Sequence, residues 1–270
     1  MDSIAIEKAA HLLLEARHAI VLSGAGISTE SGVPDFRSPG GIWARYDPGM
    51  FFYDQFIADP GKVWQSLFEM QSSNDFSIWD ASPNEGHLAL ARMEKKGIIK
   101  SIITQNIDNL HQKAGSSRVI EFHGNMLYVR CIRCHKQYRY EEVLDELDRE
   151  VVPKCSCGGI LKPDVVFFGE AIGQRALFDA SNEASLCDLM LVTGTSAQVE
   201  PAASLPLIAK GMTSMALGMG NVSMSKPHCH IIEINNEPTP LTGKCSDFII
   251  QGSTGEILSE IEQRITASEK

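Results

Sequence analysis

The chain of 270 residues sets 24 Lys and Arg against 34 Asp and Glu, a net charge of −10, with 43% hydrophobic and 21% charged residues. That length and mix suit one large domain or two modest ones around a real core, and they exclude wholesale disorder. The acidic balance argues against nucleic acid as the main ligand. No apolar run reaches the roughly 18–20 residues of a membrane span, and no basic-then-apolar leader opens the chain, so a cytoplasmic protein with no membrane partner is expected.

Residues 3–17 place Ile6, Ala10, Leu13 and Leu14 at helical spacing. Ala19-Ile20-Val21-Leu22 follows as a short continuous apolar run, which suits a strand buried on both faces. Residues 38–83 carry aromatics and short helical signals but no clear strand. Residues 84–96 read as a helix, and 98–103 as a second buried strand stopped by Thr104-Gln105-Asn106. Further strands are expected at 119–122, 189–192, 230–234 and 248–250, with a closing helix over 255–266. Alternating helices and apolar strands, most strands ending in small polar residues, predict an α/β fold: a doubly wound parallel sheet. In such sheets ligands bind at the carboxyl ends of the strands. Residues 211–226, rich in Gly, Ser and Met, read as a mobile loop.

Of the seven cysteines, four lie close together: Cys131-x-x-Cys134 and, 20 residues on, Cys155-x-Cys157. Two close pairs can give four thiolates to one tetrahedral zinc, and Gly158-Gly159 permits the tight turn they need. His135 stands by as a substitute ligand. The absence of an open catalytic position makes the zinc structural. Cys187, Cys229 and Cys245 read as buried core thiols. Gly24-Ala25-Gly26 after the first strand would let a pyrophosphate approach the backbone, but the third glycine of a dinucleotide fingerprint is missing, since Thr29 holds its place.

The longer segment Gly24-Ala25-Gly26-Ile27-Ser28-Thr29-Glu30-Ser31-Gly32-Val33-Pro34-Asp35-Phe36-Arg37 resembles the signature of the sirtuins, NAD-dependent protein lysine deacylases. The resemblance extends through Thr104-Gln105-Asn106-Ile107-Asp108-Asn109-Leu110-His111, Glu121-Phe122-His123-Gly124 and the segment from Lys162 to Glu170. It ends with Gly194-Thr195-Ser196 and Ile234-Asn235-Asn236-Glu237-Pro238-Thr239. The motifs stand in family order, and the cysteine pairs fall where the family carries its zinc module. The resemblance implies a Rossmann-like domain (1–37, 84–125 and 163–270) and a smaller inserted domain (38–83 and 126–162) made of a helical insert and the zinc module. The compact chain is similar to prokaryotic members.

By the same resemblance, NAD and zinc are the cofactors and acylated lysine in proteins is the partner. Ala25, Thr29, Phe36 and Arg37 would line the cofactor's phosphates and ribose, with Phe36 shielding the reactive carbon. Gln105 and Asn106 would hold ribose hydroxyls and a water. Ile107 and Asp108 would hold the nicotinamide carboxamide. Gly194, Thr195, Ser196, Asn235, Asn236 and Thr254 would serve the adenosine end. His123 would be the catalytic base, with Asn106 and Asp108 beside it. Val166 and Phe168 would flank the acyl-lysine. In the implied reaction the acyl oxygen attacks the ribose carbon, nicotinamide leaves, and His123 activates a ribose hydroxyl; water completes the release of free lysine and O-acyl-ADP-ribose. His11, His18, His87, His228 and His230 read as ordinary core or surface histidines, and His111 as a brace for its loop.

Sirtuins that take succinyl or malonyl groups carry Tyr-x-x-Arg after Val-Trp. Here Val63-Trp64 is followed by Leu67 and Met70 at those positions, so neutral acyl groups are expected. NAD hydrolysis or ADP-ribosyl transfer on the same scaffold is the alternative reading. It lacks a need for the acyl-lysine segment that Val166 and Phe168 supply.

Overall fold

In the computed structural model, residues 2–36, 38–72, 78–144, 152–212 and 229–268 are described. A six-stranded sheet is built from β1 (Ala19–Ser23), β2 (Ile99–Thr104), β3 (Val119–Glu121), β7 (Leu189–Thr193), β8 (His230–Asn235) and β9 (Phe248–Gln251). Its order is β3-β2-β1-β7-β8-β9, and every neighbouring pair is parallel. Each of the six apolar runs read from the sequence became one of these strands.

Continuous apolarity has a simple cause in β1. Ala19 and Val21 point into a core with the helices Ser3–Glu15, Glu85–Lys95 and Thr254–Ser268. Ile20 and Leu22 point into a second core on the other face, with the helices Gln174–Leu186 and Leu205–Ala209. β7 divides the same way, Leu189 and Leu191 against Met190 and Val192. Burying each such aliphatic side chain contributes roughly 1.5–3 kcal/mol, which favours apolar residues on both faces, and the buried polar residues Ser23, Thr104 and Thr193 fall at the strands' carboxyl ends.

The chain leaves this sheet twice. After β1 it forms short helices at Ile42–Arg45, Tyr53–Ala58 and Pro60–Ser72. After β3 it forms a separate antiparallel sheet in the order β5-β4-β6, from β4 (Gly124–Cys131), β5 (Gln137–Arg139) and β6 (Leu161–Val165). A third core, which includes Phe56, Trp64, Phe68 and Tyr140, joins the helices to this small sheet. Trp64 is anchored by its indole N–H, which donates to the Leu161 carbonyl at 3.0 Å. No strand was expected in this region.

Strand order reverses between β1 and β7. The loops after them, at Gly24 and Gly194, therefore meet at the carboxyl edge, where open parallel sheets bind ligands. A Cβ on Gly24 would lie 2.7 Å from Thr195 Cβ, and one on Gly26 would lie 2.8 Å from Gly194 Cα. The glycines are demanded by the approach of these two loops. Two short 3-10 turns, Ala25–Ile27 and Thr29–Ser31, follow β1 in place of the long helix of a typical dinucleotide fold.

Candidate active site

Of the site residues read from the sequence, Ala25, Gln105, Asn106, His123, Gly194, Thr195 and Asn235 lie at the carboxyl ends of β1, β2, β3, β7 and β8. The Gln105 side-chain amide donates to Thr195 Oγ1 at 3.0 Å. Asn106 Nδ2 donates to the Gly24 carbonyl and to Ser28 Oγ, both at 3.1 Å. Asn235 Nδ2 donates to the Thr195 carbonyl at 3.2 Å. Thr29 Oγ1 donates to the Gly26 carbonyl at 3.0 Å. Gly194 and Thr195 are buried here, whereas Ser196 and Asn236 are exposed at the rim and Ala25 is half-buried. Thr254 is buried where the closing helix begins. Beside it, Glu30 accepts from the Gly255 N–H at 2.9 Å and the Ser253 hydroxyl at 2.8 Å. Arg37 lies outside the described residues, as do His228 and residues 213–226 of the Met-rich stretch.

Asp108 is buried. Its Oδ1 accepts from the Leu110 N–H at 2.9 Å and its Oδ2 from the Ser28 hydroxyl at 2.6 Å. Burial pushes its carboxyl above the usual range, while Ser28 and the Leu110 N–H hold it back. Each oxygen keeps acceptor capacity for one more donor. The neighbouring Ile107 carbonyl accepts from the Met126 N–H at 3.0 Å, which ties this loop to β4.

A buried histidine pair lies against Ser28, the Asp108 partner, and against Ser23. Asn84 caps the helix Glu85–Lys95, and its backbone N–H donates to His87 Nδ1 at 3.4 Å. The proton of the neutral ring therefore sits on Nε2, which faces Ser28 Oγ at 3.5 Å. Burial lowers the His87 pKa to about 4. His111 packs edge-on against His87, with ring centroids 4.9 Å apart, and its Nε2 lies 2.9 Å from Ser23 Oγ. Burial and then the neighbouring His87 push the His111 pKa well below the ordinary value. His111, read as a brace for its loop, lies buried against Ser23 and His87. His87 is a core residue as read, but its contact with Ser28 also connects it to the site. Sequence reasoning gave no role to Ser28 or to this contact. Asn84 three residues before His87, at the start of an apolar-periodic run, was the available signal of a helix cap.

His123 follows β3 by two residues. Its Nδ1 faces the Gln105 carbonyl at 3.1 Å. A carbonyl only accepts, so Nδ1 carries the proton and Nε2 keeps the basic lone pair. Burial lowers the pKa of His123 below the ordinary value, and the Gln105 bond partly offsets this, so the ring is neutral near pH 7. Gly124 comes next with φ of +83°, and a Cβ there would lie 2.1 Å from the Asp164 carbonyl oxygen. Only glycine allows β4 to start so close to β6. The approach lets the Val166 N–H donate to the His123 carbonyl at 2.8 Å.

Phe168 lies in a row of rings. Its centroid is 5.8 Å from Trp43 and 5.5 Å from Phe52, and Trp43 is 5.9 Å from Phe36. Leu67 and Met70 are buried in the core of the small lobe.

The cysteine prediction is met by geometry. The Sγ atoms of Cys131, Cys134, Cys155 and Cys157 all lie within 4.8 Å of one another. Two of the separations are 3.6 Å, close to the roughly 3.8 Å edge of a tetrahedron with Zn–S bonds of about 2.3 Å. A Cβ on Gly159 would lie 2.6 Å from Cys131 Sγ, so the glycine makes room for the cluster. His135 is not among the converging ligands; it is exposed, with its backbone in the left-handed region at φ of +60°. Cys187, Cys229 and Cys245 are buried, as read.

The Sir2 family model matches residues 24–201. An NAD-dependent protein deacylase 2 of Pyrobaculum aerophilum is 42% identical over 258 residues, covering 95% of this chain and 94% of its own length. An NAD-dependent protein deacetylase of Caldivirga maquilingensis is 50% identical over 208 residues, 75% of this chain and 77% of its own. Among solved structures, a Sir2 homologue in complex with NAD superposes with a TM-score of 0.82 at 37% identity, covering 98% of this chain and 95% of the other. A Sir2 enzyme with a deacetylated p53 peptide and 3'-O-acetyl ADP-ribose superposes with a TM-score of 0.80 at 35% identity, covering 97% and 98%.

Proposed function

The chain belongs to the Sir2 family, and from that premise we propose that it removes acetyl or other neutral acyl groups from protein lysines in an NAD-dependent reaction, yielding nicotinamide and O-acyl-ADP-ribose. The observation that carries the residue assignments is the fixed tautomer of His123. Its proton is held by the Gln105 carbonyl and its basic Nε2 is left for a substrate hydroxyl, beside the segment that bears Val166 and Phe168.

NAD, when bound, supplies a ribose carbon with a good leaving group. The residues present fit it: the polar side chains of Gln105, Asn106 and Asn235, and an acceptor on Asp108, gather at the two apposed loops of the strand-order reversal. In this reading Asp108 accepts from the nicotinamide carboxamide, with the Ile107 backbone assisting, and Ser28 and the Leu110 N–H keep the carboxylate oriented. Ala25, Thr29, Phe36 and Arg37 serve phosphates and ribose. Gly194, Thr195, Ser196, Asn235, Asn236 and Thr254 serve the adenosine end. Phe36 and the rings behind it keep water from the reacting carbon. His123 accepts the proton of a ribose hydroxyl at Nε2. The Rossmann-like unit, read as 1–37, 84–125 and 163–270, carries the cofactor, and the inserted unit, read as 38–83 and 126–162, holds zinc at its small sheet, which begins at Gly124 and ends at Val165, a few residues beyond those bounds.

Leu67 and Met70 present no cation to a charged acyl group, which supports neutral chains. Among the described residues no helix is long and apolar enough to cross a membrane. We place the enzyme in the cytoplasm with acylated proteins as its partners, and its acidic charge disfavours nucleic acid.

The test separates cleavage from transfer. An acetyl-lysine peptide is incubated with NAD and labelled nicotinamide, and with a His123→Ala variant in parallel. A general base is worth about 10²–10⁴-fold, so deacetylation falls by that factor while label exchange into NAD persists. Equal loss of both, or loss of neither, refutes the role given to His123.

A further inference from the structure

Lys162 is a buried amine that the chemistry above does not use. It lies in β6, and its side chain is 8% exposed. Its Nζ pairs with Glu170 Oε2 at 3.0 Å and donates to the carbonyls of Pro163 and Val165. It also stands 4.4 Å from the centroid of the Phe167 ring. The same Glu170 oxygen accepts from the Phe167 N–H at 2.9 Å. One ion pair therefore clamps the segment at its start, its middle and its end.

The clamp holds the backbone at Pro163, Val165 and Phe167, and the Phe167 ring. Val165 and Phe167 are buried in the small-lobe core, whereas Val166 and Phe168 are half-exposed. In extended chain alternate side chains point to opposite faces, so fixing Val165 and Phe167 inward fixes Val166 and Phe168 outward. The outward face is already tethered at each end. The Val166 N–H is on the His123 carbonyl, the Phe168 N–H is on the Phe51 carbonyl, and the Phe168 carbonyl accepts from the Tyr53 N–H.

We infer that Lys162 and Glu170 are positioning residues for the acyl-lysine, acting through Val166 and Phe168 without touching substrate. This rests on the deacylase reading. Misplacement of a substrate-positioning group by about 1 Å can cost on the order of 100-fold. The ion pair limits such misplacement. The cofactor side is held by separate contacts at Gln105, Asn106 and Asp108, so it should not feel the loss.

The experiment uses the zinc-loaded enzyme and two variants. Glu170→Gln keeps an acceptor for the Phe167 N–H but discharges the pair. Lys162→Met with Glu170→Gln removes both charges, so neither is stranded in the core. Steady-state kinetics with an acetyl-lysine peptide is paired with calorimetric NAD titration. We expect the peptide KM to rise about tenfold or more, with the NAD dissociation constant and zinc content within twofold of wild type. A peptide KM within twofold of wild type in the double variant overturns the role. So does a parallel loss of NAD affinity, or failure of both variants to fold, each of which makes the pair merely structural. A wild-type enzyme without NAD-dependent deacetylation instead refutes the deacylase reading itself, whatever the variants do.

Discussion

Acid should weaken this fold through His87, by an amount the structure sets. Burial holds His87 at a pKa of about 4, whereas an unfolded histidine titrates near 6.5. Above pH 6.5 the ring is neutral in both states and the effect is nil. As the pH falls below 6.5 the unfolded chain takes up a proton that the folded chain refuses, so stability drops until the folded ring titrates near pH 4. At pH 5 the free-energy loss is about 2 kcal/mol, against a typical 5–15 kcal/mol for a whole domain. His111 adds in the same direction, and one charged ring would oppose charging of the other across 4.9 Å. His87→Gln can keep both contacts of the ring, accepting from Asn84 and donating to Ser28, yet cannot titrate. The assay is urea unfolding at pH 7 and pH 5. Zinc thiolates also take up protons in acid, but that contribution is common to both proteins and cancels in the difference. We expect the wild type to lose about 2 kcal/mol more than His87→Gln between the two pH values. Identical pH dependence would refute both the neutral state of His87 and the tautomer assigned from it.

The acid limb of kcat/KM should fall at a pH below 6.5, because burial lowers the pKa of His123 and the enzyme works with the ring neutral; a limb at or above 6.5, measured with saturating NAD, contradicts this. Gly124→Ala should destabilise the fold by several kcal/mol or abolish soluble expression, since its Cβ would collide with the Asp164 carbonyl at a positive φ; a melting temperature within a degree of wild type refutes the close approach. Stripping zinc with a strong chelator should unfold the β4–β6 sheet and expose Trp64, whose indole is tied to Leu161; unchanged tryptophan fluorescence after metal loss argues against a structural zinc.

β1 and β7 were legible because they are buried along their whole length and read as apolar runs, β2 and β8 nearly so, while the edge strands β3 and β9 are only partly buried and showed as shorter runs. β4 was not legible, since Gly124–Cys131 mixes buried and half-exposed positions without a clean alternation and carries Asn, Tyr and Arg. The helix Gln174–Leu186 was equally silent, as only Ala180 and Ala184 are fully buried along it. The cysteine quartet was readable from spacing, because two pairs on tight turns leave a thiolate few other uses. The Ser28–His87 and Ser28–Asp108 contacts were not, because they close across 59 and 80 residues. Local pattern carries no trace of such pairings, and the protonation state of a histidine depends on what the fold places against each nitrogen. The glycines after β1 were correctly singled out, but their cause is the loop after β7, which sequence alone does not bring near.

Product stoichiometry tests the central claim most directly. The wild-type enzyme is given NAD and an acetyl-lysine peptide, and nicotinamide, free lysine peptide and O-acetyl-ADP-ribose are quantified by mass spectrometry through one time course. We expect the three to accumulate in equal amounts, with no NAD consumed when the peptide is unacetylated. Nicotinamide released in excess over deacetylated peptide, or ADP-ribose attached to protein, would contradict a deacylase and favour hydrolysis or ADP-ribosyl transfer.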